Sequence, residues 1–193
     1  MKEYLYLPPA IFKPFAVVAL ILLIYMVLPG PSSITNFPPL PKSLKSTLSG
    51  DTWQVPNVAG YFSDNYRDFV IPYYRVHFKS QSALPFAPLR LNYPPEFAYT
   101  AIKDQTQSTY LEELFYPLRE SLFINGLEPF TTDKLPRFEG ATRFDPEPGT
   151  AYYTKVTLRY YPSPLWVRVA TWAGIVVSFV LLYNLTRKVL KND

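Results

Sequence analysis

The chain has no cysteine, one histidine (His77) and only 7 glycines among its 193 residues. Without a thiol there is no disulfide framework, no thiolate nucleophile and no Cys-ligated zinc or iron–sulfur site, and a single imidazole cannot build a multi-histidine metal centre. Nor is there a phosphate-cradling glycine loop, a dinucleotide fingerprint or a calcium loop. No serine stands in a G-x-S-x-G setting, so an activated serine is unsupported. Glu112 and Glu113 form an acidic doublet, but adjacent residues point to opposite faces of a strand and cannot straddle one scissile bond. They read as solvated charges. A hydrolase built on carboxylates alone would need distant residues such as Glu96 and Glu139 to converge. No catalytic residue, cofactor-binding residue or metal ligand is assigned, no cofactor is expected, and the chain reads as non-enzymatic.

Net charge is also missing from most of the chain. Between Pro29 and Val167 thirteen Lys/Arg face thirteen Asp/Glu, and the formal +4 comes entirely from the flanks. This distribution offers no electrostatic footprint for nucleic acid.

What the chain does have is two apolar runs, 21 prolines and 16 tyrosines. Phe15 to Leu28 is fourteen apolar residues bounded by Pro14 and Pro29, a helix of only ~21 Å against a hydrocarbon core of ~30 Å. Ile11 and Phe12 extend it, with Lys13 snorkelling to the interface. Residues 15–28 are read as a first transmembrane helix, an uncleaved signal anchor behind a cytoplasmic tail, 1–14. A cleaved signal peptide is the competing reading, since the short core and basic start fit one, although no A-x-A-like site follows. The second run, 165–183, carries Trp166 and Arg168 near its start and is followed by Arg187, Lys188 and a basic tail, 184–193. Lys13, Trp166, Arg168, Arg187 and Lys188 are the expected membrane-interface anchors. Ala170, Gly174 and Ser178 recur every fourth residue, a stripe on which another helix packs closely. The basic cluster after the second helix puts both termini in the cytoplasm of a two-pass cell-membrane protein and the central region outside it.

Residues 29–50, rich in Pro, Ser and Thr, read as a semi-extended tether. Residues 51–162, opened by Asp51 and Trp53, read as an α+β domain of two helices on one face of a short antiparallel sheet. Asn57 is placed as the cap of a first helix with Val58, Tyr61, Phe62, Asn65, Phe69, Tyr73 and Val76 at helical steps, kinked or ended by Pro72. Leu89 and Leu91 suggest a short edge strand. Pro94, Pro95 and Glu96 open a second helix with Phe97, Ala98, Ala101 and Ile102 inward, ended by the polar residues 104–109. Residues 109–124 read as two short strands around Pro117 with a turn at Asn125 and Gly126, and 133–149 as a loop. In the last strand, Thr154, Val156, Leu158 and Tyr160 alternate with Tyr153, Lys155, Thr157, Arg159 and Tyr161. Three residues, Pro162 to Pro164, join it to the second apolar helix, so the sheet stays near the bilayer.

Tyrosine offers large contact area at little entropic cost, and Tyr74, Tyr153 and Tyr161 are the candidate contact surface. The expected function is that of a membrane-anchored envelope protein whose extracytoplasmic domain docks another protein, as an accessory subunit of an envelope assembly. Its expected partners are membrane lipid and either another membrane or envelope protein or a second copy of the chain. The alternative is a module binding cell-wall glycan or another surface polymer through exposed tyrosines.

Overall fold

The computed structural model describes residues 8–48, 51, 56–101 and 108–192. Trp53, Ile102 and the polar residues 104–107 lie outside the described residues. The chain divides into two compact units: one formed by the terminal segments up to Leu28 and from Ser163, the other by Pro29–Pro162.

In the terminal unit, α1 spans Pro9–Val27 and α4 spans Leu165–Asn192. Both are long and apolar enough to cross a membrane. The first helix starts six residues before the expected Phe15 and continues through Lys13 and Pro14. Pro9 at its first position, where no N–H bond is needed, nucleates it, and its 19 residues reach ~28 Å at ~1.5 Å each. The second continues well beyond Tyr183, so the basic tail is helical through Asn192. The two helices pack together: Phe15 stacks on Phe179 at 4.4 Å, and the Trp172 indole donates to the Ala19 carbonyl at 2.8 Å.

The central unit is α+β, built on a six-stranded antiparallel open sheet. Its strands are β1 (Leu44–Lys45), β2 (Val58–Ser63), β3 (Leu89–Tyr93), β4 (Tyr110–Phe115), β5 (Ser121–Leu127) and β6 (Thr154–Tyr161), in spatial order β1-β2-β6-β5-β4-β3. Helix α2 (Arg67–Gln81) covers one face, called inner here, with Val70, Ile71, Tyr74 and Phe78 buried. Phe78 meets Phe37, Tyr116 and Tyr160 ring to ring at 5.2 to 6.2 Å. On the other, outer face lies a 3₁₀ turn, Pro95–Phe97, leading into the short α3 (Ala98–Ala101), so the two expected helices lie on opposite faces of the sheet rather than on one.

The edge strand at Leu89 and Leu91 and the alternating last strand form where the pattern places them, with Thr154, Val156, Leu158 and Tyr160 buried. Other expectations fail. Residues 58–63 are a strand, and all six are buried: with both faces covered, the period of two disappears and chance spacings mimic a helix. Asn57 sits at φ 58°, in a left-handed turn ahead of that strand, rather than capping a helix. The helix starts only at Arg67 and passes through Pro72 to Gln81. The β4–β5 turn lies at Pro117 and Leu118, because Tyr116 and Arg119 close it (Arg119 N–H to Tyr116 carbonyl, 3.0 Å), whereas Asn125 and Gly126 are inside β5. Finally, the described part of the expected tether, residues 29–48, is not free: Phe37 and Leu40 enter the core and β1 pairs with β2. Phe97, expected inward, is exposed.

Gly126 stands directly opposite Tyr110, whose ring occupies the space a Cβ would fill. The Tyr110 hydroxyl beneath α2 is buried and has no hydrogen-bond partner. Gly126→Ala is therefore expected to destabilise by about 1–3 kcal/mol through overpacking. Tyr110→Phe, which removes only the unsatisfied hydroxyl, should be neutral or stabilising. Urea unfolding of both variants checks the contrast, and equal destabilisation by the two would refute this packing.

Candidate interaction surfaces

The acidic doublet divides across the sheet, as adjacent strand residues must, but neither carboxylate is simply solvated. Glu112 points to the inner face and is fully buried. Arg67, from the first turn of α2, gives it bonds at 2.7 and 2.6 Å, and Arg90, from β3, approaches through Nε and, at 2.6 Å, Nη2. Arg67 also reaches the Asn92 side chain at 3.1 Å. A second buried carboxylate, Glu128, accepts the free backbone N–H of Arg67 at 2.6 Å and pairs with Arg137 at 3.3 Å. It serves as the N-terminal cap of α2 from 61 residues away, a role that no local motif announces. Burial pushes the Glu128 carboxyl above its ordinary value, while the Arg67 amide and the nearby guanidiniums oppose that rise. Tyr66, Arg67, Tyr110, Glu128 and Arg137 line a polar hollow of about 160 Å³.

Glu113 points to the outer face, where it accepts from Ser121 at 2.6 Å and from the Tyr93 hydroxyl at 2.5 Å. Burial and then this bond push the Tyr93 phenol up to about 12. Around this pair lies an apolar groove of about 430 Å³, lined by Tyr93, Phe97, Thr100, Leu111, Ser121, Phe123 and Tyr161. Three of its rings form a row across the strands: Phe123 is 6.0 Å from Tyr93 and 5.6 Å, edge to face, from Tyr161. Arg159 sits over the Tyr161 ring at 4.9 Å. The register explains the row, since Tyr93 faces Leu111, Phe123 faces Arg159 and Ser121 faces Tyr161.

Of the tyrosines singled out from sequence, only Tyr161 belongs to this groove. Tyr74 is wholly buried against the sheet and cannot be a contact residue. Tyr153 is half-buried against Phe130, with Lys134 and Arg143 over its ring, and is eight residues away from Tyr161, ~26 Å along a strand. The three do not form one platform. Tyr93 and Phe123 were missed because β3 and β5 show no clean alternation beside their prolines and Asn-Gly pair. Glu96 and Glu139 are both exposed, and neither lines the groove or the polar hollow. No group of three or more metal-ligating side chains occurs among the described residues.

In the terminal unit, Lys13, Trp166, Arg187 and Lys188 are exposed. Arg168 is not: it is buried and donates to the Leu28 carbonyl at 3.0 Å, placing a cation at the C-terminal end of α1, where the helix dipole favours it. Ala170, Gly174 and Ser178 are exposed, and nothing lies within 4 Å of the place a Gly174 Cβ would take. The stripe is not used in packing against α1. No protein-family model matches the chain, and no curated protein or solved structure matches it.

Because Glu128 is held above its ordinary value, the folded state binds its proton more tightly than the unfolded state does. Its contribution to stability is complete at pH below the ordinary carboxyl range and is lost as pH rises through the elevated folded value. Glu128→Gln keeps an acceptor for the Arg67 amide and should flatten this decline. Denaturant midpoints from pH 4 to 8 would show it, and an unchanged slope would contradict it. Glu112→Gln removes the buried charge shared by two partly exposed guanidiniums and weakens their charge-assisted bonds to neutral ones, a loss of about 1–3 kcal/mol, read in the same experiment.

Proposed function

We propose that the protein is a two-pass membrane protein, both termini cytoplasmic, whose extracytoplasmic central unit docks a partner protein through the groove on the outer sheet face. The reading makes it a non-enzymatic accessory subunit of an envelope assembly. The observation that carries it is the row of half-buried Tyr93 and Phe123 and exposed Tyr161 lining one groove beside exposed Phe97. Apolar and aromatic side chains gathered in one concave patch favour insertion of a partner's hydrophobic side chains. Two terminal helices long and apolar enough to cross a membrane supply the anchoring.

The groove has little polar lining for sugar hydroxyls: both Ser121 and the Tyr93 hydroxyl are already committed to Glu113. This favours a protein side chain over a glycan, for which ring stacking alone would have to suffice.

A photo-crosslinking residue at Phe123 or Tyr161, in cells expressing the full chain, should give a discrete protein adduct. The same probe at exposed Leu135, on the loop after β5, should not. Phe123→Asp should reduce the adduct formed from Tyr161 at least tenfold while leaving the protein in the membrane fraction. Equal labelling from Leu135, or no adduct from either groove position, would overturn the proposal. An adduct at twice the chain's mass would identify a second copy as the partner.

A further inference from the structure

The chain enters and leaves the central unit at the same end of the sheet. At its entry, Pro29 accepts the Ala83 N–H at 3.2 Å, Gly30 lies against the Arg119–Glu120 pair, and Pro31 accepts the Tyr160 hydroxyl at 2.6 Å. At its exit, Tyr161 pairs with Ser121, which pairs with Phe115, which pairs with Leu89. The end of the sheet is therefore marked by the last residue of β6, the β4–β5 turn and the start of β3. In sequence, Pro29 follows α1 by two residues and Leu165 opens α4 four residues beyond Tyr161.

Two properties distinguish this end from the opposite one. The first is charge. Among the described residues, its carboxylates are Glu120, buried against Arg119 at 2.9 Å, and Glu113, level with Arg159 across Phe123 and bonded to Ser121 and Tyr93. Arg75, which acts with Arg119 and Glu120 on the Tyr116 phenol, is here, as are Lys79, bonded to the Leu84 carbonyl, and Arg159. Asp64, Asp68, Glu128 and the acids of the 128–153 loop belong to the opposite end, where β2 and β5 finish and β6 begins. That end also holds Arg67, Lys134, Arg137, Arg143 and Lys155 and is mixed in charge, whereas bases outnumber acids where the chain enters and leaves.

The second property is an apolar fringe. Phe86, Leu89 and Leu118 are respectively 47%, 50% and 53% exposed. Leu118 has φ 60° at the third position of the Tyr116–Arg119 turn, which has Pro117 at its second and is closed by a 3.0 Å bond. That position, with a positive φ, belongs to glycine or asparagine; leucine is strained there. An exposed leucine in a costly conformation gains nothing from the protein around it.

We propose that this end of the central unit is a bilayer-contact surface, with Leu118, Phe86 and Leu89 entering the interfacial zone of an anionic membrane and Arg75, Lys79 and Arg159 meeting its headgroups. The inference rests on the membrane-anchored reading above. Apolar side chains at the interface gain burial, and basic ones near anionic lipid add attraction, whereas carboxylates would oppose it.

The cysteine-free chain permits single-site nitroxide labelling without background. Leu118→Cys and Phe86→Cys would be labelled in the full chain, reconstituted in phosphatidylethanolamine/phosphatidylglycerol vesicles. Leu135→Cys at the opposite end and Val177→Cys within α4 are the references. The ratio of oxygen to nickel-chelate accessibility should be several-fold higher at 118 and 86 than at 135, approaching the value at 177. Values at 118 and 86 equal to that at 135, with 177 lipid-exposed, would overturn the contact surface and leave the anchoring intact. A water-exposed 177 would overturn the anchoring itself, and the surface with it.

Discussion

The buried Glu112 carboxylate is the constraint on which the central unit's geometry depends. Removing a carboxylate from water costs several kcal/mol unless its partners are close and well aligned. Here those partners come from two elements: Arg67 at the start of α2 and Arg90 in β3. Satisfying one charge therefore fixes the N-terminal end of the helix over β4 and holds the edge strand in register. Glu128 adds a second fixed point by accepting the Arg67 amide. With its first turn held by two carboxylates, α2 runs the other way toward Ser82 and Ala83, and the Ala83 N–H meets Pro29. The polarity of the helix thus determines where the chain enters the unit.

The same arrangement separates the two faces of the sheet. The inner face is closed by Tyr74, Phe78 and the aromatic cluster around them. The outer face carries only the 3₁₀ turn and α3 at this side, so Tyr93, Phe123 and Tyr161 keep their rings accessible around a satisfied Glu113. A carboxylate bonded by Ser121 and Tyr93 has no remaining demand for charge, and the groove around it is left to apolar contact.

How far the sequence revealed this depended on whether an element had one wet face. In β6 the alternation survives because Lys155 and Arg159 remain partly solvated while Thr154, Val156, Leu158 and Tyr160 are buried, and the reading of that strand was accurate. In β2 both faces are covered, Gly60 lying under Asp51, which itself pairs with Lys155, so no period remained to be read. The start of α2 was invisible because its cap is Glu128, far along the chain. Phe37, in a proline-rich stretch resembling a linker, is anchored by ring contacts with Phe78 and Tyr160, which lie remote in sequence, and Leu40 is buried nearby in the chain. For the site, Tyr161 was legible from strand alternation, whereas Tyr74 was misplaced because the helix face could not be assigned before the helix start was known.

Composition conceals the polarity of the central unit for a related reason. Thirteen positive and thirteen negative side chains sum to zero however they are arranged, and acids and bases are interspersed along the chain. Antiparallel strands carry sequence-distant segments to the same end: the β4–β5 turn, the start of β3, the end of α2 and the last residues of β6 meet there. None of those four stretches contributes an acid except Glu120, and Arg119 neutralises it at once. A domain can thus be electrically neutral to a distant partner and basic to a flat surface within a Debye length, ~8 Å at physiological salt, of one of its ends.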